Sequence, residues 1–405
     1  MLCIYAGEPG TKQPILRLTF VGTDFICMME HENELSRLVD QLNRSAKESK
    51  SGETLSLDQL LSTAVRRGAS DILLVAGCAV TLRIHGALTP EPGQAVFAEE
   101  IRSLLSPLLT AAQLDELQTG KSLDFCFMHG AIGRFRANFH HQRGTLAAAI
   151  RLLPAQIPSI ESLHLPLALA QLTERRQGLV LLTGATGSGK TSTLAALVDR
   201  INTRRRDHII TIEDPIEYEH VNHNSLVEQI ELGRDTPSFA RSVRAVLRQD
   251  PDVILIGEMR DSETMAAALT AAETGHLVLS SLHTNDAAQT VSRILDTFAS
   301  GYQSQIRQQL SLALLAVISQ QLLPASNGSG RYPAVEVLVA TPAVRSLIRR
   351  GEDHMLRAQI ETGISEGMMT MEQSLVELVR AGRVSRETAF AHCYHPEDLR
   401  RHLDI

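Results

Sequence analysis

Residues 179–194 read LVLLTGATGSGKTSTL. The stretch contains the pattern G-x-x-x-x-G-K-[ST], from Gly184 to Thr191. The apolar run before it, Leu179 to Leu182, reads as a buried parallel strand, and a helical pattern begins at Lys190. Strand, glycine loop and helix in this order form the setting of a phosphate-binding loop. Backbone N–H groups of the loop and the helix N-terminus can cradle phosphates, and Lys190 neutralises their charge. The Thr191 hydroxyl can ligate Mg²⁺. Gly184, Ala185, Thr186, Gly187, Ser188, Gly189, Lys190, Thr191 and Ser192 are therefore the candidate contacts to a nucleotide triphosphate. The loop is shared by many unrelated machines, so the rest of the chain must say what the nucleotide is for.

Composition narrows the choice. The 405 residues carry a net charge of −7, contain no Trp and are only 4% aromatic. A nucleic-acid binder usually shows a basic stripe with stacking aromatics, and neither is visible. The cysteines, Cys3, Cys27, Cys78, Cys126 and Cys393, form no C-x-x-C pair. They fit reduced thiols in a cytoplasm better than a zinc ribbon or a disulfide framework. No apolar run reaches the ~18 residues of a spanning helix, and no basic segment followed by an apolar core marks a signal peptide. Membrane association is expected to be peripheral. Lys190 is the only lysine after Lys121, which makes it easy to address by experiment.

Along the chain, residues 1–54 are weakly patterned. GEPGTKQP reads as loop, Glu30 to Asn43 has helical spacing, and AKESKSGET reads as a polar linker. Residues 55–153 read as a separate α/β domain. LSLDQLLSTAVRRG is a helix ending at Gly68, FAEEIRSLLSPLL is a helix broken at Pro107, and DILLVAG, VTLRIHG, SLDFCFMHG, GRFRANFHHQRG and TLAAAIRLLP are strands. A proline-bearing linker, 154–166, follows. Residues 167–290 alternate strands (LVLLT, HIITIE, DVILIGE, HLVLSSL) with helices, as in a parallel RecA-like α/β core. Residues 291–405 read as mostly helical, interrupted by NGSGRYPAVEVLVATP.

Three further stretches lie at predicted strand ends, where open α/β sheets bind ligands. TIEDPIEYEH brings Glu213, Asp214, Glu217 and Glu219 together, an arrangement favoured by a nearby cation. The bland alternative is a solvated acidic loop. DPDVILIGEMRD ends its strand at Gly257 and Glu258. A glycine stands where ordinary Walker B strands have aspartate, leaving Glu258 to face Mg²⁺ and water. Arg260 follows, and an ion pair is the commoner use of an arginine beside acids. TGHLVLSSLHTNDA carries His276 and His283, seven residues apart. Spacing places His283 at the carboxyl end, facing the γ-phosphate, and His276 at the strand's start, away from it. Upstream, Arg134, Arg136 and Asn138 alternate in GRFRANFHHQRG and so share one strand face. Such arginines can act as fingers on phosphates or form a solvated basic face.

Taken together, GATGSGKTST, TIEDPIEYEH, RQDPDVILIGEMRDSETMAAALTAAETGHLVLSSLHT, SDILLVAG and GRFRANFHHQRG resemble the ATPase superfamily of type II secretion and type IV pili. Within it the chain is similar to PilT-type pilus retraction ATPases, over about residues 56–390. The resemblance implies a PAS-like domain ahead of the RecA-like core and a ring-shaped homohexamer that hydrolyses ATP with Mg²⁺. It implies docking on an inner-membrane platform protein from the cytoplasmic side; that no direct contact to nucleic acid is expected rests on the acidic charge and scarce aromatics. The acidic box maps to Glu213 and Asp214 through Glu217, with Glu217 positioning water. The Walker B glutamate, a metal-side group with Thr191, maps to Glu258. Both family histidines map here, which restores His276 as a candidate. The family's upstream arginines map to Arg134, Arg136 and Arg143.

Assembly and secretion members often carry a four-cysteine motif where this chain has ISQQLLPASNGSGRYPAVEVL, without cysteine. That absence favours a retraction type. TPAVRSLIRRG resembles the family's A-I-R-N-L-like retraction helix, with Val344 and Ser346 as departures. The first 54 residues are a further departure, compatible with a branch serving conjugation. The competing readings are an assembly, secretion or conjugation ATPase, an ATP-binding ring subunit with little hydrolysis, and a DNA translocase.

Overall fold

The computed structural model describes residues 56–403 apart from His85 and Ser329. The chain divides into two units, Met1–Ser56 and Leu57–Ile405. The loop, helix and linker expected within 1–54 lie outside the described residues, as do Cys3 and Cys27.

The second unit begins with a six-stranded antiparallel sheet. Its elements are α1 (Leu57–Arg66), β1 (Ala69–Leu74), β2 (Thr81–Ile84), β3 (Ala87–Pro90), α2 (Ala98–Leu105), α3 (Ala111–Gly120), β4 (Ser122–His129), β5 (Gly133–Gln142) and β6 (Thr145–Leu152). The sheet order is β3-β2-β1-β6-β5-β4. On β5, Phe135, Ala137 and Phe139 point into a core shared with Leu61, Ile72, Ile101 and Ile150. The two-residue period of a strand then turns Arg134, Arg136 and Asn138 to the other face. Helix α2 passes into a short 3-10 turn, Ser106–Leu108, at the proline where a break is expected.

The stretch 154–166 is not a free tether. Ile160 and Leu165 are buried against the second sheet. The His164 ring lies 5.1 Å from that of Tyr332.

The second sheet is built from α4 (Ala168–Leu172), β7 (Gly178–Thr183), α5 (Lys190–Arg204), β8 (His208–Glu213), β9 (Leu226–Glu231), α6 (Phe239–Val246), β10 (Val253–Ile256), α7 (Ser262–Glu273), β11 (Leu277–Ser281), α8 (Ala287–Asp296), α9 (Ser300–Ala313), β12 (Leu314–Pro324) and β13 (Arg331–Val339). Helices α10 (Pro342–Arg350), α11 (Leu356–Thr362), α12 (Met371–Arg380), α13 (Arg386–His392) and α14 (Pro396–His402) complete the chain. The strand order is β13-β12-β7-β11-β10-β8-β9. All neighbours are parallel except β12 and β13.

Strand β7 is buried along its whole length, because helices cover both faces. Leu179 and Leu181 face one helical layer with Val243, Ala268 and Leu310. Val180 and Leu182 face the other, with Leu194, Leu197 and Ile201 of α5. A continuous apolar run is what such a two-sided strand requires. The C-terminal part departs from the mostly helical reading by placing β12 directly beside β7. No helix among the described residues is long and apolar enough to cross a membrane.

Candidate active site at the phosphate loop

Strand β7 delivers the chain to the loop, and β12 holds the loop in shape. Gly184, Gly187 and Gly189 all have positive φ, at 137°, 81° and 89°. A Cβ on Gly184 would lie 2.3 Å from the Gln320 carbonyl oxygen. Only glycine therefore lets the loop pass this close to β12. The Gln320 side chain, itself buried, completes the support. Its amide Nε2 donates to the Ser188 carbonyl at 2.7 Å, and its Oε1 accepts from the Thr193 hydroxyl at 2.9 Å.

The Lys190 ammonium donates to the carbonyls of Gly184 (2.7 Å) and Ala185 (3.1 Å), so it lies across the loop. Burial pulls its pKa down, and the Glu258 carboxylate acts in the opposite direction. Ser188 Oγ is buried without a hydrogen-bond partner. An unpaired buried hydroxyl on a glycine-rich loop fits an incoming phosphate oxygen. The loop from Gly184 to Ser188 lines an open concavity of about 420 Å³ together with Gln321, His392 and Tyr394. A larger concavity of about 640 Å³, against Arg175, Arg176 and Arg345, holds none of the predicted site residues.

The acidic box divides into two kinds of carboxylate. Glu213 is buried at the end of β8 and accepts from Thr211 Oγ1 (2.7 Å) and Gln229 Nε2 (3.1 Å). Burial pushes its pKa up, and the hydrogen bonds from Thr211 and Gln229 act against the rise. Asp214 and Glu219 are exposed, and Glu217 is half-buried. Ser192, at the start of α5, meets the Tyr218 hydroxyl at 2.8 Å and so joins the box to the phosphate-loop helix.

At the end of β10 the glycine has a steric reason. A Cβ on Gly257 would come within 3.3 Å of the Ile212 oxygen and 3.4 Å of the Glu213 Cα. The next residue, Glu258, lies 3.1 Å from His283 Nε2 and 2.5 Å from Arg260 Nη2. Arg260 thus forms an ion pair. His283 stands just past the carboxyl end of β11, beside Glu258. His276 does not reach this place. Its carbonyl accepts from Gly178 N at the opposite end of β7, and its Nδ1 contacts the Ala271 carbonyl at 2.9 Å. The length of β11 separates the two histidines by about 20 Å at ordinary strand rise.

The upstream arginines also separate. Arg134 reaches the acidic box, donating to the Ile216 carbonyl at 3.1 Å and pairing with Glu219 at 3.0 Å. Arg136 pairs loosely with Asp124, at 3.9 Å. Arg143 sits in the turn after β5, so it lies about 30 Å of extended chain away from Arg134.

Several supporting residues carry no local signal in the sequence. Gln320 acts on partners more than 120 residues away. Glu231, on the unpredicted strand β9, is buried and accepts from Ile216 N at 3.1 Å. Tyr218 lies inside the acidic motif, and an aromatic among carboxylates was the available clue.

A phosphate-binding loop with one lysine after β7, and a carboxylate at the end of β10 two strands along the sheet, suit attack by water on a bound nucleotide. The fold and site define a P-loop ATPase. A family model described as type II/IV secretion system protein matches residues 147–391. The twitching motility protein of Neisseria gonorrhoeae is 43% identical over 85% of this chain and 92% of its own. The type IV pilus retractation ATPase PilT of Pseudomonas aeruginosa is 39% identical over 85% of this chain and all of its own. The crystal structure of a pilus retraction motor PilT with bound ADP superposes with a TM-score of 0.80 at 42% identity, covering 86% of this chain and 99% of that one. The chain belongs to the type II/IV secretion system protein family.

Proposed function

We propose that this chain is a mechanochemical ATPase that drives type IV pilus retraction and hence twitching motility. The observation that carries the chemistry is the Glu258–His283 pair beside the phosphate loop. The likeness to retraction and twitching proteins along nearly their full length, with no cysteine in Ile318–Leu338, supports the direction of force.

In this reading the loop amides, the Ser188 hydroxyl and Lys190 hold the triphosphate. Glu217 and Glu258 orient the attacking water, and His283 faces the γ-phosphate. The water oxygen bonds to the γ-phosphorus as the bridging P–O bond to the β-phosphate breaks. ADP departs with the bridging oxygen, the water oxygen stays on the released phosphate, and the water's proton passes to the nearby carboxylates or solvent. Thr191 and Glu258 would hold Mg²⁺, which offsets phosphate charge when bound. Catalysis is then positioning and electrostatics, which a domain movement can gate. A homohexamer on the cytoplasmic face of the inner membrane, working against a platform protein, is the assembly this reading requires.

The test is steady-state ATP hydrolysis by the purified full chain, with its mass in solution measured alongside. Mg²⁺-dependent turnover by a particle of six chains, abolished by a chelator, is the expected result. Nucleotide binding without turnover would make it a regulatory ring subunit instead. Salt-dependent binding to DNA would favour a translocase.

A further inference from the structure

The guanidinium of Arg134 crosses 82 positions of sequence to meet the acidic loop. Each of its three nitrogens is engaged there. Nη2 donates to the Ile216 carbonyl at 3.1 Å, Nη1 to the Glu217 carbonyl at 3.4 Å, and Nε pairs with Glu219 Oε1 at 3.0 Å. The Arg134 side chain is only 13% exposed, whereas Glu219 is 58% exposed. A half-buried guanidinium spread over two carbonyls and a carboxylate is a fork that lysine cannot reproduce.

The same loop is tied from beneath. Ile216 N donates to the buried Glu231 at 3.1 Å. The Tyr218 hydroxyl meets Ser192 at 2.8 Å, and its carbonyl accepts from Gln229 at 2.8 Å. Glu217 lies at the centre of these ties. Its carbonyl is held by Arg134, and no side-chain partner occupies its carboxylate among the described residues. The loop is fastened on both sides of a carboxylate that is kept free.

We propose that Arg134 is a positioning residue. The N-terminal domain governs turnover by clasping the acidic loop through Arg134 and Glu219, which fixes Glu217, and the Arg134 guanidinium does not itself lie on the nucleotide's phosphates. This rests on the reading that Glu217 orients water. Movement of the N-terminal sheet away from the loop releases Glu217 and slows hydrolysis without weakening the grip on ATP.

The test is ATPase kinetics of the full chain carrying Arg134→Lys, Glu219→Ala, both, or Glu217→Gln. Arg134→Lys is expected to lower kcat about tenfold and Glu219→Ala about three- to fivefold, with KM for ATP changed less than about twofold. The double variant is expected to be no slower than Arg134→Lys alone, because both remove one clasp. Glu219 is exposed, so its alanine variant keeps the fold, and its melting temperature verifies this. A phosphate-contacting Arg134 predicts the opposite: Glu219→Ala with unchanged or raised kcat, and Arg134→Lys raising KM equally in both backgrounds. That result would overturn the clasp. If Glu217→Gln is inactive while Glu219→Ala behaves as wild type, the clasp fails and the role of Glu217 stands. Normal turnover in Glu217→Gln would remove both.

Discussion

Glu258 Oε2 and His283 Nε2 meet at 3.1 Å across the carboxyl ends of β10 and β11. A carboxylate can only accept, so the imidazole donates, and the pair fixes each other's orientation. Replacement of Glu258 by Gln keeps the shape and removes the charge. Glu258→Gln is expected to bind ATP within about threefold of wild type and to lose turnover by at least about a hundredfold. His283→Ala, which removes one of the two partners of Glu258 and leaves its ion pair with Arg260, should cost about tenfold. Single-turnover hydrolysis beside equilibrium nucleotide binding separates these effects. Normal turnover in Glu258→Gln would exclude it from the chemistry.

Gln320 offers a test of the loop's support. Its two buried hydrogen bonds hold Ser188 and Thr193. Gln320→Ala leaves a buried carbonyl and hydroxyl unpaired, at a cost of about 1–3 kcal/mol for each buried group. The expected outcome is a KM for ATP raised about tenfold, with kcat changed far less. A lower melting temperature without nucleotide, recovered in part by saturating ADP, should accompany it. Unchanged KM and melting would show that the loop keeps its shape unaided.

Much of this architecture is legible because its signals are local. The phosphate loop, the β5 alternation and the apolar runs of β7, β10 and β11 each lie within one short stretch. β12 was less legible because α9 runs into it at Ala313–Leu314 without a glycine or proline, and an apolar run alone does not separate helix from strand. β9 hides behind a polar pattern because it is a sheet edge, with Leu226 exposed. Gly257 could be noticed in the sequence, but its reason, the backbone of β8, belongs to the fold. Spacing alone put His276 at the amino end of its strand, and that is where it lies. Partners such as Gln320–Ser188 and Arg134–Ile216 appear only when distant segments are brought together.

Glu336 provides a pH-dependent prediction away from the chemistry. It accepts from Ala287 N at 2.9 Å, at the start of α8. Burial raises its pKa from 4.5 to about 7, and the nearby Asp286 and Glu372 carboxylates add to the rise. Between those values the folded chain binds the proton that the unfolded chain has lost, so this group's contribution to stability declines as pH rises through the window. Glu336→Gln retains an acceptor for Ala287 and carries no charge. It should melt a few degrees above wild type at pH 8, with the gap closing towards pH 4.5. Thermal melts across that range measure it. A gap independent of pH would contradict the buried, proton-holding carboxyl.

Lys190, whose ammonium lies across the phosphate loop, gives the most direct test, because in the proposed function it holds the triphosphate. In a piliated strain that carries this gene, surface pili would be counted and surface motility scored after deletion of the gene and, separately, after Lys190→Ala. Excess pili and lost motility are expected in both strains. Bald cells would contradict retraction and indicate assembly. Unchanged pili with a lost secretion or conjugation phenotype would place this ATPase in another machine.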